Sequence, residues 1–285
     1  MTERPFRFGV VGAFARSGAE WTEKARQVEQ LGYQTLLVPD RLTAPVLAAV
    51  PAVAAAAAAT TQLRVGTFVF AAGLRHPAML AKEAATLDLL SEGRFELGLG
   101  AGVGPEDYAL LGVPFGEPRE RADRLKATLL KVKELLEGET LKPASVQRPR
   151  PPILVAAGGP RLLRLAAREA DVVALGLNPH DGERSLAERS ALVREVGGDR
   201  PELSLNLVAA VGPEGTPPHL AARVRGYLKM ELADLVAQRS PFVVGGDADA
   251  MAAQLQSLRE RYGVTYVTVP DDVVDTFAPV IAKLC

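Results

Sequence analysis

LRVGTFVFAAGLRHPAMLAKEAATLDLLSEGRFELGLGAG, residues 63–102, is the stretch that decides the fold. It opens on an apolar, β-branched run (63–70) and continues into an alanine- and leucine-rich segment (76–90), where Pro77 suits a first helical turn. A second apolar run, FELGLGAG at 95–102, leaves through glycines. Both runs are apolar almost throughout instead of on alternate residues. That pattern marks strands buried on both faces, as in a parallel sheet covered by helices.

The same unit repeats outward in both directions. Strand candidates lie at 6–12 and 35–40 before it, and at 152–159, 171–176, 203–212 and 264–270 after it. Helical segments fall between them at 21–31 (closed by Gly32), 44–60, 161–170, 186–196 and 273–284. Extra helical material near the C-terminal part, 218–237 and 247–262, is divided by the short run FVVGG. Eight principal strands, each followed by helix, predict a closed (β/α)8 TIM barrel, with an open doubly wound sheet as the alternative. No Pro/Gly/Ser linker interrupts residues 1–285, so one domain is expected.

The chain is 48% hydrophobic and 24% charged, which supports a large core and argues against disorder. Its formal net charge of −1 supplies no basic footprint for nucleic acid. The sole cysteine is Cys285, so no internal disulfide or thiolate metal site can form. MTERPFRFGVVG has no apolar signal core, and the alanine tract 44–60 contains Pro51 and is shorter than a membrane span requires. A cytoplasmic protein without membrane insertion is the expectation.

Barrel active sites lie at the carboxyl ends of the strands. That rule selects the stretch 12–16 with Gly12, Asp40 and Arg41, the stretch 70–76, the stretch 101–108 with Tyr108, the stretch 157–161, 177–180 with His180, and 209–213. Glycine there lets backbone approach a flat ring or a phosphate, or merely turns the chain. GAGVG at 100–104 lacks the acidic partner of a dinucleotide fold. Gly158 and Gly159 stand between a strand and a helix, where free N–H groups could meet a phosphate assisted by Arg161, or could simply cap the helix. Asp40 either orients a base or pairs with Arg41. His76 reads as a helix cap or packing residue, and His219 as an outer-helix residue. The three histidines share no metal-ligand spacing, and neither a Gly-x-Ser-x-Gly elbow nor a paired carboxylate set occurs. The chemistry is therefore expected from a bound organic cofactor.

Residues 63–102 together with VPDRL (38–42), AAGGPRLLRLAAREADVV (156–173) and VVGGDADAMAAQLQSLRERYGVTYVTVP (243–270) resemble the luciferase-like monooxygenase superfamily. The closest likeness is to its coenzyme F420-dependent oxidoreductase branch. The resemblance implies a cofactor ring across the strand ends, either F420 as a hydride carrier or, alternatively, FMN used with oxygen. It implies a non-proline cis peptide near Phe68 and Val69. It also places the cofactor among Gly12, Phe68, Val69, Gly100, Gly102, Ala157, Gly158, Gly159 and Arg161. Asp40 and Arg41 become the candidate catalytic pair, Tyr108 and His180 the substrate contacts. A homodimer acting on a small-molecule substrate is implied, with a separate reductase as a further partner. Two departures stand out. Arg41 replaces a histidine found in some deazaflavin-dependent dehydrogenases, and arginine cannot serve as a base. Val103 stands where those enzymes carry an acid, which counts against a sugar-phosphate dehydrogenase. A hydrolase or lyase, and a barrel that only binds, remain the competing classes.

Overall fold

The computed structural model describes residues 4–176 and 182–285. Strands β1 (Arg7–Val11), β2 (Thr35–Val38), β3 (Arg64–Thr67), β4 (Phe70–Ala71), β5 (Phe95–Gly100), β6 (Ile153–Ala157), β7 (Val172–Leu175) and β8 (Glu202–Asn206) come first. They are followed by β9 (Ala209–Val211), β10 (Val243–Gly245) and β11 (Val264–Pro270). The sheet runs β3-β2-β1-β11-β8-β7-β6-β5-β4, and β3 also pairs with β5, closing the ring. Every pairing is parallel, for example Val11↔Pro270 and Val11↔Leu37. With β3 and β4 counted as one interrupted strand this is the expected (β/α)8 barrel.

The helices are α1 (Gly18–Gln30), α2 (Ala49–Ala59), α3 (Pro77–Leu90), α4 (Pro105–Leu110), α5 (Pro118–Glu137) and α6 (Pro160–Glu169). The remainder are α7 (Gly182–Gly197), α8 (Pro218–Leu228), α9 (Leu232–Ala237), α10 (Ala248–Tyr262) and α11 (Val274–Leu284). The alanine tract forms α2, against which Trp21 of α1 is buried, its indole N–H donating to Ala52 O at 2.8 Å. Among the described residues no helix is long and apolar enough to cross a membrane.

Two buried clusters separate the layers. The larger one joins the outward faces of the strands to the helices. The smaller, Leu37, Leu154, Val172, Ala174 and Tyr266 with Val11, Phe68, Val69 and Ala156 packed on it, fills the barrel interior. The amino end of that interior is plugged by ions. Arg7 of β1 donates to Glu96 of β5 at 2.9 Å and reaches Glu202 of β8 at 3.1 Å, while Arg64 of β3 meets Glu96 at 2.5 Å. The Arg7 guanidinium also lies 4.0 Å from the Tyr266 ring centroid. Strand β1 adjoins neither β5 nor β8, so only across the interior can Arg7 meet both Glu96 and Glu202.

Three sequence expectations are corrected. The apolar run 203–212 is two strands: after Leu207, whose N–H still donates to Thr268 O at 2.8 Å, Val208 N turns to Phe242 O at 2.8 Å. β9 then pairs with β10, making FVVGG a strand of a second small sheet instead of a divider between helices. The helix expected over 218–237 breaks at Lys229, which adopts the left-handed region at φ 57°. The third strand is interrupted by a cis Phe68–Val69 peptide, as the resemblance implied. Thr67 bridges that gap: its Oγ1 donates to Gly98 O and accepts from Gly98 N, both at 3.0 Å.

Candidate active site

The carboxyl end of the barrel presents a shallow interior surface built from small residues. Gly100 of β5 lies beneath Val69, so that a Cβ there would overlap Val69 Cγ2, and the Ala156 methyl would stand 3.9 Å away. Next along the ring, a Cβ on Gly158 would come 2.6 Å from Gly176 O. The β5, β6 and β7 ends therefore approach each other with no side chain beyond methyl on Gly100, Ala156, Gly158 and Gly176. Val69 covers Gly100, and Phe68 and Val11, half-buried like it, pack on the same interior cluster. Ala157 points the other way into the outer shell; its neighbour Ala156 is the interior residue of β6.

Gly159 is the N-cap of α6 and brings no capping side chain; a Cβ there would meet nothing within 4 Å. The first turn of α6 thus receives no side-chain cap, and its uncapped N–H groups are a suitable setting for an anion. Arg161 projects from this turn but is about half exposed and paired with Asp123 of α5. An exposed pair of this kind contributes about 0–1 kcal/mol, so the guanidinium is free to be redirected.

Asp40 and Arg41 do not pair with each other. Asp40, 6% exposed, accepts from Arg75 and from Ala71 N at 3.3 Å, tying the β2 exit to β4. Arg75 also meets Glu83 at 3.2 Å and stacks over Phe70, 4.5 Å from its centroid. Arg41 crosses to α4, where its Nε meets Asp107 at 2.5 Å and its terminal nitrogen meets Glu106. Asp107 is fully buried and also accepts from Thr43 N at 2.8 Å and Thr43 Oγ1 at 2.6 Å. Burial would raise the Asp107 carboxyl, but the bonds from Thr43 and Arg41 outweigh it and hold the group below the ordinary range. Burial alone would lower Arg41, yet its two acidic partners push it up, so it stays charged.

Other expected residues take structural positions. Gly12 is buried, and a Cβ there would run into the Asp271 carboxylate, which accepts from Lys24 at 2.7 Å. Gly102 adopts φ 87° beneath the Tyr108 hydroxyl. Tyr108 itself is fully buried, edge-on to Phe115 at 5.0 Å between centroids, and burial pushes its phenol above the ordinary value. His76 caps α3 by accepting from Ala78 N at 3.2 Å. His180 lies outside the described residues.

Two interior polar residues escaped the sequence reading. Asn206 ends β8, and Thr268 on β11 donates to its Oδ1 at 2.9 Å, a polar pair beside the small-residue floor. The signal was present as a polar residue interrupting LSLNL, but extending that strand to Gly212 moved its carboxyl end past Asn206. Among the described residues no group of three His, Cys, Asp or Glu side chains is arranged to hold a metal ion.

The luciferase-like monooxygenase family matches residues 6–278. An uncharacterised protein of Mycobacterium tuberculosis is 27% identical over 272 residues, covering 82% of this chain and 90% of that protein. An F420-dependent glucose-6-phosphate dehydrogenase of Nakamurella multipartita is 33% identical over 193 residues, 60% of this chain and 56% of the relative. The coenzyme F420-dependent tetrahydromethanopterin reductase of Methanopyrus kandleri superposes with a TM-score of 0.78 at 17% identity, covering 99% of this chain and all of that one. The oxygenating constituent of 3,6-diketocamphane monooxygenase of Pseudomonas putida, in complex with FMN, gives 0.72 at 17% identity over 99% and 96% of the chains. At such identities the two structures establish the fold alone.

Proposed function

The chain belongs to the luciferase-like monooxygenase family, and we propose that it is an F420-dependent oxidoreductase acting on a small organic substrate. The supporting observation is the family match over residues 6–278, together with a strand-end surface where Gly100, Ala156, Gly158 and Gly176 carry no side chain beyond a methyl and the backbone itself lies at the surface's packing distance. Residues present fit the group: the interior faces of Val69, Gly100 and Ala156 for the ring, and the open α6 N-terminus at Gly159 with Arg161 for a phosphate. When bound, the deazaflavin supplies a two-electron hydride acceptor or donor.

The chain's own residues bind, orient and exclude water. Asp40 fixes the β4 segment that follows Val69, through Ala71 N and Arg75. Asn206 and Thr268 are the polar groups of the interior wall positioned to orient a ring edge or a substrate hydroxyl. Arg41 is not a base and, held by two carboxylates, braces the rim. The relatives support F420, since several F420-dependent glucose-6-phosphate dehydrogenases match at 31–41% identity. The FMN-bound fold neighbour keeps an FMN monooxygenase as the second reading. A cytoplasmic homodimer, served by a separate reductase, fits either cofactor.

Side-by-side fluorescence titration of the purified protein with F420 and FMN tests the assignment. Tight binding of F420 alone is the expected result. Preference for FMN would move the protein to the oxygen-using class, and binding of neither would refute a cofactor-centred site.

A further inference from the structure

Glu83 lies in the second turn of α3 and takes no part in the strand-end surface described above. Its side chain is three-quarters removed from water, at 26% exposure, and its Oε2 is buried without a hydrogen bond. That oxygen faces the Arg75 guanidinium at Nε, 3.2 Å away. The same guanidinium holds Asp40 through Nη1 and lies over the Phe70 ring. Two carboxylates thus share one cation in a setting largely closed to solvent, and with both ionised the trio carries one negative charge in excess.

A buried carboxylate oxygen that makes no hydrogen bond costs free energy, so stability does not account for Glu83. Burial pushes its carboxyl above the ordinary range; Arg75 opposes that shift and Asp40 adds to it. The elements packed on α3 bring no relief. Helix α2 has no charged residue, and no charge on α5 or β5 shifts the group. Lys82, its neighbour on α3, reaches Lys142 O instead. Proton uptake at Glu83 removes the excess charge and leaves Arg75 to Asp40 alone. Asp40 is also the acceptor for Ala71 N at 3.3 Å, and Ala71 follows by two residues Val69, which covers Gly100. The charge on Glu83 is therefore felt at the strand that supports the cofactor surface.

We propose that Glu83 is a positioning residue that acts through Arg75 and Asp40 on β4, and that its neutral form strengthens cofactor binding. The inference rests on the cofactor-dependent redox reading. F420 or FMN is then held more tightly in mildly acidic than in alkaline solution. Glu83→Gln, an amide of the same shape, fixes the tighter state.

Two readouts on wild type and Glu83→Gln across that range test the proposal. One is the protection factor of the Ala71 amide against hydrogen exchange, which removes the intrinsic effect of pH. The other is the dissociation constant of F420 and of FMN by fluorescence titration. Relative to the variant, the wild type should weaken by about threefold in both readouts as the solution turns alkaline, toward the low end of what one hydrogen bond contributes. In mild acid the two proteins should agree. A ratio between them that stays constant with pH overturns the inference, as does a variant that binds more weakly than wild type throughout. A change at Ala71 without one in affinity overturns the positioning role. Should neither cofactor bind, the redox reading fails, and Ala71 exchange alone decides whether Glu83 governs β4.

Discussion

Replacing Glu96 with glutamine removes the negative centre of the ion plug beneath the site. Glu96 is 2% exposed and accepts from Arg7 at 2.9 Å and Arg64 at 2.5 Å. The amide keeps the shape but leaves two guanidinium groups facing a neutral partner. Removing one member of a buried pair costs about 3–5 kcal/mol. Arg7 and Arg64 retain 26% and 27% side-chain exposure, and Arg7 keeps Glu202 at 3.1 Å, which places the loss near the lower end, about 3 kcal/mol. For a chain of this size that corresponds to a melting point lower by about 6–12 °C. The sign with pH follows from the direction of the shift. Burial would raise the Glu96 carboxyl, yet Arg7 and Arg64 hold it below the ordinary carboxylate range. A depressed acid stabilises the fold above its unfolded value and loses that contribution as pH falls through the folded one. The gap between wild type and Glu96→Gln should therefore be full at neutral pH and shrink in acid. Glu202 is the contrast, since burial pushes its carboxyl up and makes its charge less favourable in the fold. Glu202→Gln should cost less. Urea unfolding from neutral to acid pH reads all three proteins. A Glu96→Gln loss under about 0.5 kcal/mol, or one that does not change with pH, would refute the reasoning.

Three further outcomes are expected. Gly159→Ala meets open space and should leave the melting point unchanged while weakening cofactor binding, whereas Gly100→Ala drives a methyl into Val69 and should cost about 1–3 kcal/mol as well as binding; titration and thermal unfolding on both variants check this. Gly104→Ala, at φ 73° and overlapping the Arg41 guanidinium, should release Arg41 from α4, seen as faster proteolysis of the 104–116 segment. Glu29 accepts from the N–H groups of Thr61, Gln62 and Leu63 at 2.6–2.8 Å, and these bonds overcome the effect of burial and hold its carboxyl low. Glu29→Ala should therefore lose about 1–3 kcal/mol in denaturant titrations at neutral pH, with the deficit shrinking as acid protonates the wild-type group.

The sequence by itself determined the alternation of apolar strands and helices, and hence the barrel, because burial on both faces forces near-continuous apolar runs. It also located most of the strand exits, since glycine marks where chains approach within a Cβ of one another, as at Gly100 and Gly158. Strand parity at those ends was harder to read. Ala156 and Ala157 are the same residue type in one run, and only pairing across the barrel shows that Ala156 faces inward. The continuity of LNLVAAV likewise hid the point where β8 leaves the barrel, because a residue buried by a helix and one buried by a second sheet are equally apolar. Tertiary structure alone decided the fate of the charges. VPDRL places Asp40 and Arg41 side by side, but adjacent side chains at a strand end diverge, and their partners, Arg75 and the Glu106–Asp107 pair, come from 35 to 66 residues away. Whether an arginine is a ligand for substrate or a brace for the rim depends on which carboxylates reach it, and that is settled by the closing of the barrel.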